Sequence, residues 1–256
     1  DNEVEVACNG DIRTLVDYKA YDRVSTVEAR FCCLFKNCLS LISAPELPAT
    51  ELAERCYYQM FYGCTSLTSA PALPATTLAD ACYFYMFRGC TSLTTAPELP
   101  ATSLTFRCYN YMFYGCTSLT SAPALPATTL AICCYSHMFN GCTNLATVPE
   151  LPATTLDAYC YSGMFMNCTS LTTASTLPAA TLADDCYSSM FYGCSKLNSV
   201  TMLATDISAN RCLDSWLHGV ATTGTFTKSS EMTSLLIGEN GIPSGWEVVD
   251  YSAFDN

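Results

Sequence analysis

Residues 64–89 read Cys-Thr-Ser-Leu-Thr-Ser-Ala-Pro-Ala-Leu-Pro-Ala-Thr-Thr-Leu-Ala-Asp-Ala-Cys-Tyr-Phe-Tyr-Met-Phe-Arg-Gly, and residue 90 is cysteine again. The frame recurs along most of the chain. Cys38, Cys64, Cys90, Cys116, Cys142, Cys168 and Cys194 stand 26 residues apart, and Cys56, Cys82, Cys108, Cys134, Cys160, Cys186 and Cys212 keep the same step. Leucine follows it from Leu41 to Leu197 and proline from Pro45 to Pro149, giving way to Ser175 and Thr201. Phenylalanine follows it from Phe61 to Phe191, each time after a methionine. A fixed step of this size marks a solenoid, whose units bury their apolar faces against one another.

Within a unit, residues 66–70 read as a short strand. Proline has no N–H to give a ladder, so Pro71 must cut the pairing, and a narrow parallel sheet of about four residues per strand is expected. Residues 74–76 form a turn, with Thr76 or Thr77 supplying a capping oxygen. Over 78–88 the pattern changes. Leu78, Ala79, Cys82, Tyr83, Met86 and Phe87 fall on one side of a helix, and Asp80, Ala81, Phe84, Tyr85 and Arg88 on the other. Gly89, its equivalents Gly63, Gly115, Gly141 and Gly193, and Asn167 are expected in the left-handed conformation that ends a helix. The expected architecture is an α/β solenoid, with a narrow parallel β-sheet on one side and short helices on the other.

The ends depart from the frame. Residues 1–30 carry no ladder, with Arg30 where a repeat cysteine would stand, and read as an N-terminal cap. Residues 31–219 make seven coils, in the last of which Trp216 and Leu217 replace the Met-Phe pair. Residues 220–256, rich in Gly, Ser and Thr, read as a C-terminal cap. Terminal coils would otherwise expose a bare core and unpaired strand edges.

The unit M-F-x-G-C-T-S-L-T-x-A-P-x-L-P-A-T-T-L-A-x-x-C-Y resembles the BspA-like leucine-rich-repeat proteins of gut bacteria. The tail from Gly224-Thr225-Phe226 to Gly241-Ile242-Pro243-Ser244-Gly245-Trp246 is similar to their closing segment. The resemblance spans roughly residues 31–250 and implies a right-handed leucine-rich-repeat coil. It also implies a secreted or surface-displayed recognition module, in a family associated with adhesion to host or neighbouring cells. No catalytic residue carries over.

Composition narrows the function further. The chain has 256 residues, half of them hydrophobic, 13% charged, and a net charge of −12 with 11 Lys plus Arg. That balance argues against a nucleic-acid partner, which needs a basic stripe. With no run of about 18 apolar residues, no membrane insertion is expected. No basic, apolar N-terminal stretch is present either, so any signal segment is expected to be gone already.

Eighteen cysteines invite a disulfide or metal reading. As ends of one short helix, Cys82 and Cys90 would lie about 12 Å apart, whereas a bridge needs Cα atoms within about 7 Å. The cysteines therefore read as small buried apolar residues. Cys32-Cys33 and Cys133-Cys134 are adjacent, which is poor chelate spacing, and Cys133 with His137 offers only two ligands, so no metal or cofactor is expected. His137 and His218 lack a plausible Ser-Asp arrangement. Glu46, Glu98 and Glu150, two coils apart, read as a solvated edge. An enzyme is not expected.

The informative contrast lies inside the repeat. Core positions barely change, whereas the outward helix face changes at every coil. It carries Arg55, Tyr58 and Tyr62, then Phe84, Tyr85 and Arg88, then Phe106, Arg107, Tyr111 and Tyr114, and further on Tyr159. Neutral drift would favour Lys, Glu, Gln and Ala. Like positions stack, so these eleven residues are expected to form one contiguous patch, with the composition of a protein-binding surface. The expected function is non-catalytic binding of a protein or glycoprotein by a monomer outside the cell. A structural spacer or self-associating surface protein is the alternative, and a carbohydrate-active role ranks third.

Overall fold

A computed structural model describes residues 4–17, 19–26, 31–234 and 236–252. The segments expected to be short helices are rows of tight turns instead. Between 53 and 64, the N–H groups of Cys56, Tyr58, Met60, Tyr62 and Cys64 each donate to the carbonyl three residues earlier. The intervening N–H groups of Arg55, Tyr57, Gln59, Phe61 and Gly63 donate to the next coil, at the carbonyls of Asp80, Cys82, Phe84, Met86 and Arg88, over 2.8–3.1 Å. The alternation recurs coil after coil, so the N–H groups of the row have partners, half of them local and half 25 residues away in the next coil.

A left-handed residue at every fourth position makes this possible: Arg55, Gln59 and Gly63 have φ of 53°, 52° and 72°. Each reversal interrupts the helical path and turns alternate N–H groups toward the neighbouring coil. Glycine accepts that conformation freely, and Asn167 takes it too, with φ of 60°. At Arg55, Tyr85 or Tyr111 it costs about 1–2 kcal/mol. That is the size of the net gain from one hydrogen bond, about 0.5–1.5 kcal/mol, so packing of the core decides the balance.

The buried side of the row is nonetheless the side expected. Cys82, Tyr83, Met86, Phe87 and Cys90 are fully buried, because a pair repeating every four residues faces one way in either conformation. Rings at equivalent positions pile into two columns. The phenylalanines from Phe35 to Phe191 lie 5.5–5.7 Å apart with planes within 7° of parallel. The tyrosines from Tyr57 to Tyr187 are spaced 5.6–5.9 Å. The cysteines are free thiols. Those of Cys64, Cys90, Cys116, Cys142, Cys168 and Cys194 donate to the carbonyls of Phe35, Phe61, Phe87, Phe113, Phe139 and Phe165 over 3.0–3.2 Å. Burial pushes the thiols of Cys56 and Cys108 up to about 12, which holds them neutral.

On the opposite side of the coil the sheet is thinner than expected. Strand β1 (Val6–Ala7) pairs in parallel with β2 (Leu41–Ser43), and β3 (Ser199–Met202) opens a second sheet. Between them the coils touch through isolated parallel bridges such as Ser121 with Thr147, and through long bonds such as Thr94 N–H to Thr68 O at 3.4 Å. Pro71, Pro97, Pro123 and Pro149 interrupt the ladder there. Where threonine replaces proline at 201, a continuous strand forms.

Beyond the last turn row, β4 (Gly224–Lys228) pairs in parallel with β3, and β5 (Trp246–Asp250) with β4. Trp216 Nε1 donates to Gly241 O at 3.1 Å, and Trp246 Nε1 to Ala221 O at 2.8 Å. At the other end, Ile12 is buried on the first coil inside a 3-10 turn over Ile12–Leu15. Arg30 lies outside the described residues.

Candidate binding site

The turn ladder fixes the variable side chains in columns along the solenoid. Seven of the eleven candidate residues meet. Tyr58 lies 5.5 Å from Phe84, Phe84 lies 4.1 Å from Tyr85, and Tyr85 lies 4.8 Å from Tyr111. Tyr114 joins at 5.7 Å from Tyr111. Arg88 sits among three tyrosines, its guanidinium 5.3 Å from the ring of Tyr62, 5.1 Å from Tyr85 and 4.7 Å from Tyr114. Lys36, which sequence reasoning passed over, extends this ridge 4.9 Å above Tyr62. All seven are half-buried, and burial raises the phenol pKa of Tyr58 and Tyr111.

The other four stand apart from the ridge. Arg55 is exposed beside Glu54, 3.6 Å away. Phe106 and Arg107 form their own pair, with the guanidinium 4.7 Å above the ring. Tyr159, 43% exposed, hydrogen-bonds to Asp185, which raises its pKa.

A second correction concerns exposure. The helical pattern of 78–88, carried along the repeat, puts Ala81, Asn110, Ser136, Asn140, Asp185 and Ser188 on the outward face, yet all are buried. Asn110, Ser136, Ser162 and Ser188 occupy one column, and because three of them are serines that column sinks into a groove of about 650 Å³. Tyr85, Tyr111 and His137 flank it on one side and Arg107, Tyr159 and Arg211 on the other. The groove therefore gathers four candidate residues besides Phe84, two of them outside the ridge.

His137 is neither the metal ligand nor the catalytic base that the sequence raised and set aside. It prolongs the aromatic column, stacked 4.6 Å from Tyr111 with planes 13° apart. Its Nδ1 lies 3.1 Å from Asn140 Nδ2, and burial lowers its pKa, so the ring is neutral and Nδ1 accepts the amide proton. A Cβ at residue 163 would collide with this ring, so Gly163 is what lets it lie flat. At the far end Arg211 meets Asp214 at 3.0 Å and Asp185 at 3.6 Å. The sequence did carry a signal for the groove: small residues at 136, 162, 163, 188 and 189, in the columns that hold Phe84, Tyr85 and Tyr111 earlier on.

A hollow of about 680 Å³ between Val6, Phe35 and Leu39, at the N-terminal end, has no residue of the variable columns that carry the candidates. The described residues hold no group of three or more His, Cys, Asp or Glu placed to share a metal ion, and no helix long and apolar enough to cross a membrane.

The family model for the BspA type leucine rich repeat region matches residues 24–145 and 107–233, in six copies. The two matches together take in well over half of the chain, which belongs to this family. No curated protein matches it.

Proposed function

We propose that this member of the BspA-type repeat family is a non-catalytic recognition module, displayed or secreted outside the cell, that binds a protein partner through its aromatic ridge. The observation that carries the reading is the continuous contact from Tyr58 through Phe84 and Tyr85 to Tyr111, with Arg88 held among three tyrosines. Large side chains already ordered by their neighbours lose little freedom on binding; Tyr and Arg are among the residue types that dominate binding energy, and Phe is enriched at interfaces. The ladder beneath them is bonded through the main chain, so the ridge stands on a rigid base.

Adhesion to a host or microbial surface is the role that fits such a platform in this family. The test is capture of surface proteins by wild type and by the triple variant Tyr85→Ala/Arg88→Ala/Tyr111→Ala. Capture is expected to vanish in the variant with its melting temperature nearly unchanged. Equal capture by both would sink the proposal. Concentration-dependent self-association in light scattering, lost in the same variant, would identify the partner as a second copy.

A further inference from the structure

The groove beside the ridge has a chemistry of its own. Ser136 and Ser188 are only 6% and 7% exposed, yet among the described residues their hydroxyls take part in no hydrogen bond. Nor do they belong with the sealed, unpartnered hydroxyls of the interior, such as those of Tyr109 and Tyr135. They open into the groove, with Ser162 between them. A row of hydroxyls without a protein partner, facing an open groove, suits a ligand that brings its own hydrogen-bond donors and acceptors.

Two features bear on which ligand. The main chain along the floor is fully used: Tyr111 N–H donates to Ser136 O, His137 N–H to Ser162 O and Gly163 N–H to Ser188 O. An extended peptide thus finds no open strand edge to pair with. The spacing also disfavours a peptide. Floor positions recur once per coil, at the 5.5–5.7 Å rise of the stacked phenylalanines, whereas like-facing groups of an extended peptide recur every ~6.6–6.8 Å. Over the three steps from Asn110 to Ser188 the two drift apart by about a residue. A β-1,4-linked chain of sugar rings, extended because both linking bonds are equatorial, advances by nearly one ring per coil and brings hydroxyls at every step.

The walls add two further preferences. Tyr159 is the groove aromatic whose ring stacks on no other ring among the described residues, and it is exposed enough to pack against the C–H face of a sugar. Arg107 has no carboxylate in ion-pair range among the described residues, whereas Arg211 has two. Arg107 is therefore the groove cation left to meet an anionic ligand.

We infer that the groove is a binding site for a linear oligosaccharide bearing a carboxylate, with one sugar per coil over the Asn110–Ser188 column and the carboxylate at Arg107. The site shares the turn face with the ridge but does not depend on the ridge having a protein partner, and the two can fail separately.

The test titrates the whole chain with β-1,4-linked tetraglucuronate, neutral cellotetraose of the same backbone and an acidic Ser/Gly/Asp octapeptide, by calorimetry or NMR. Tetraglucuronate is expected to bind with a submillimolar Kd, cellotetraose about threefold or more weaker, and the peptide not at all. Tyr159→Ala, at an exposed site, and Ser162→Leu, which fills the floor, should each weaken the acidic sugar about tenfold or more without moving Tm. Arg107→Gln should erase the preference for the acidic sugar. Tyr58→Ala/Arg88→Ala, confined to the ridge, should leave sugar binding intact whatever it does to protein capture. The inference is overturned if neither sugar binds at millimolar concentration, if binding survives both groove variants, or if the peptide binds more tightly than both sugars.

Discussion

On the strand side of each coil the sequence hardly changes while the hydrogen bonding is sparse, with isolated bridges and bonds near 3.4 Å. On the turn side the sequence changes at every coil while the bonding is complete. Residues as unlike as Arg55, Ala81, Cys133 and Tyr159 occupy one column there, all with φ between 53° and 57°. The turn ladder is made of main chain, and any residue other than proline supplies its N–H and C=O. The pairing that holds the coils together is thereby separated from the side chains that face a partner, so those can vary without dismantling the scaffold.

Proline substitutions test this contrast most severely. Tyr111 sits at φ 55° and donates its N–H to Ser136 O at 2.9 Å. Tyr111→Pro removes the donor, forbids the dihedral and orphans the carbonyl. Denaturant unfolding should show a loss of about 4–6 kcal/mol. Ser175→Pro, on the strand side, restores the residue type found at Pro149 and removes a buried hydroxyl without a partner, so its effect should stay within about 0.5 kcal/mol. Similar losses from the two prolines would break the comparison.

Phe113→Ala comes next, with about 3–5 kcal/mol lost from the cavity left between Phe87 and Phe139. The cost should be the same whether the ridge is intact or carries its triple alanine change. Thiol labelling sharpens the picture of the interior. In the native protein an alkylating reagent should reach Cys38 first and Cys8, Cys32, Cys33 and Cys133 more slowly. The thirteen buried cysteines should react only on unfolding, since burial keeps them neutral as well as covered. Fast labelling of Cys90 or Cys116 would mean that the coils open locally.

The smallest effect is a pH dependence at the groove wall. Burial lowers the pKa of His137, so the folded state favours the neutral ring. Its contribution is complete above the ordinary histidine pKa of about 6.5 and is lost as pH falls through the lower folded value. A modest fall in Tm on acidification, absent in His137→Gln, is the expected outcome.

Much of the interior was legible from spacing alone. The Cys-Tyr and Met-Phe pairs announced the buried columns, and the proline column announced where strand pairing stops. The helix was misread because over eight residues a period of 3.6 and one of 4 diverge by only about 80°. The strict four-residue step of Cys82, Met86 and Cys90 was the available clue. Asn110, Ser136 and Ser188 were placed outward by the same helical wheel, and the turn row sinks that column instead.

Repetition at 26 residues determined by itself that equivalent side chains stack, that the Cys-Tyr and Met-Phe columns are buried, and that the variable ones share a face. These follow from local order and a constant step. Tertiary structure alone decided between helix and turn ladder, because half of the carbonyls that receive the row's N–H groups belong to the neighbouring coil. It alone decided that small side chains between taller columns leave a groove, since depth depends on what stands on either side.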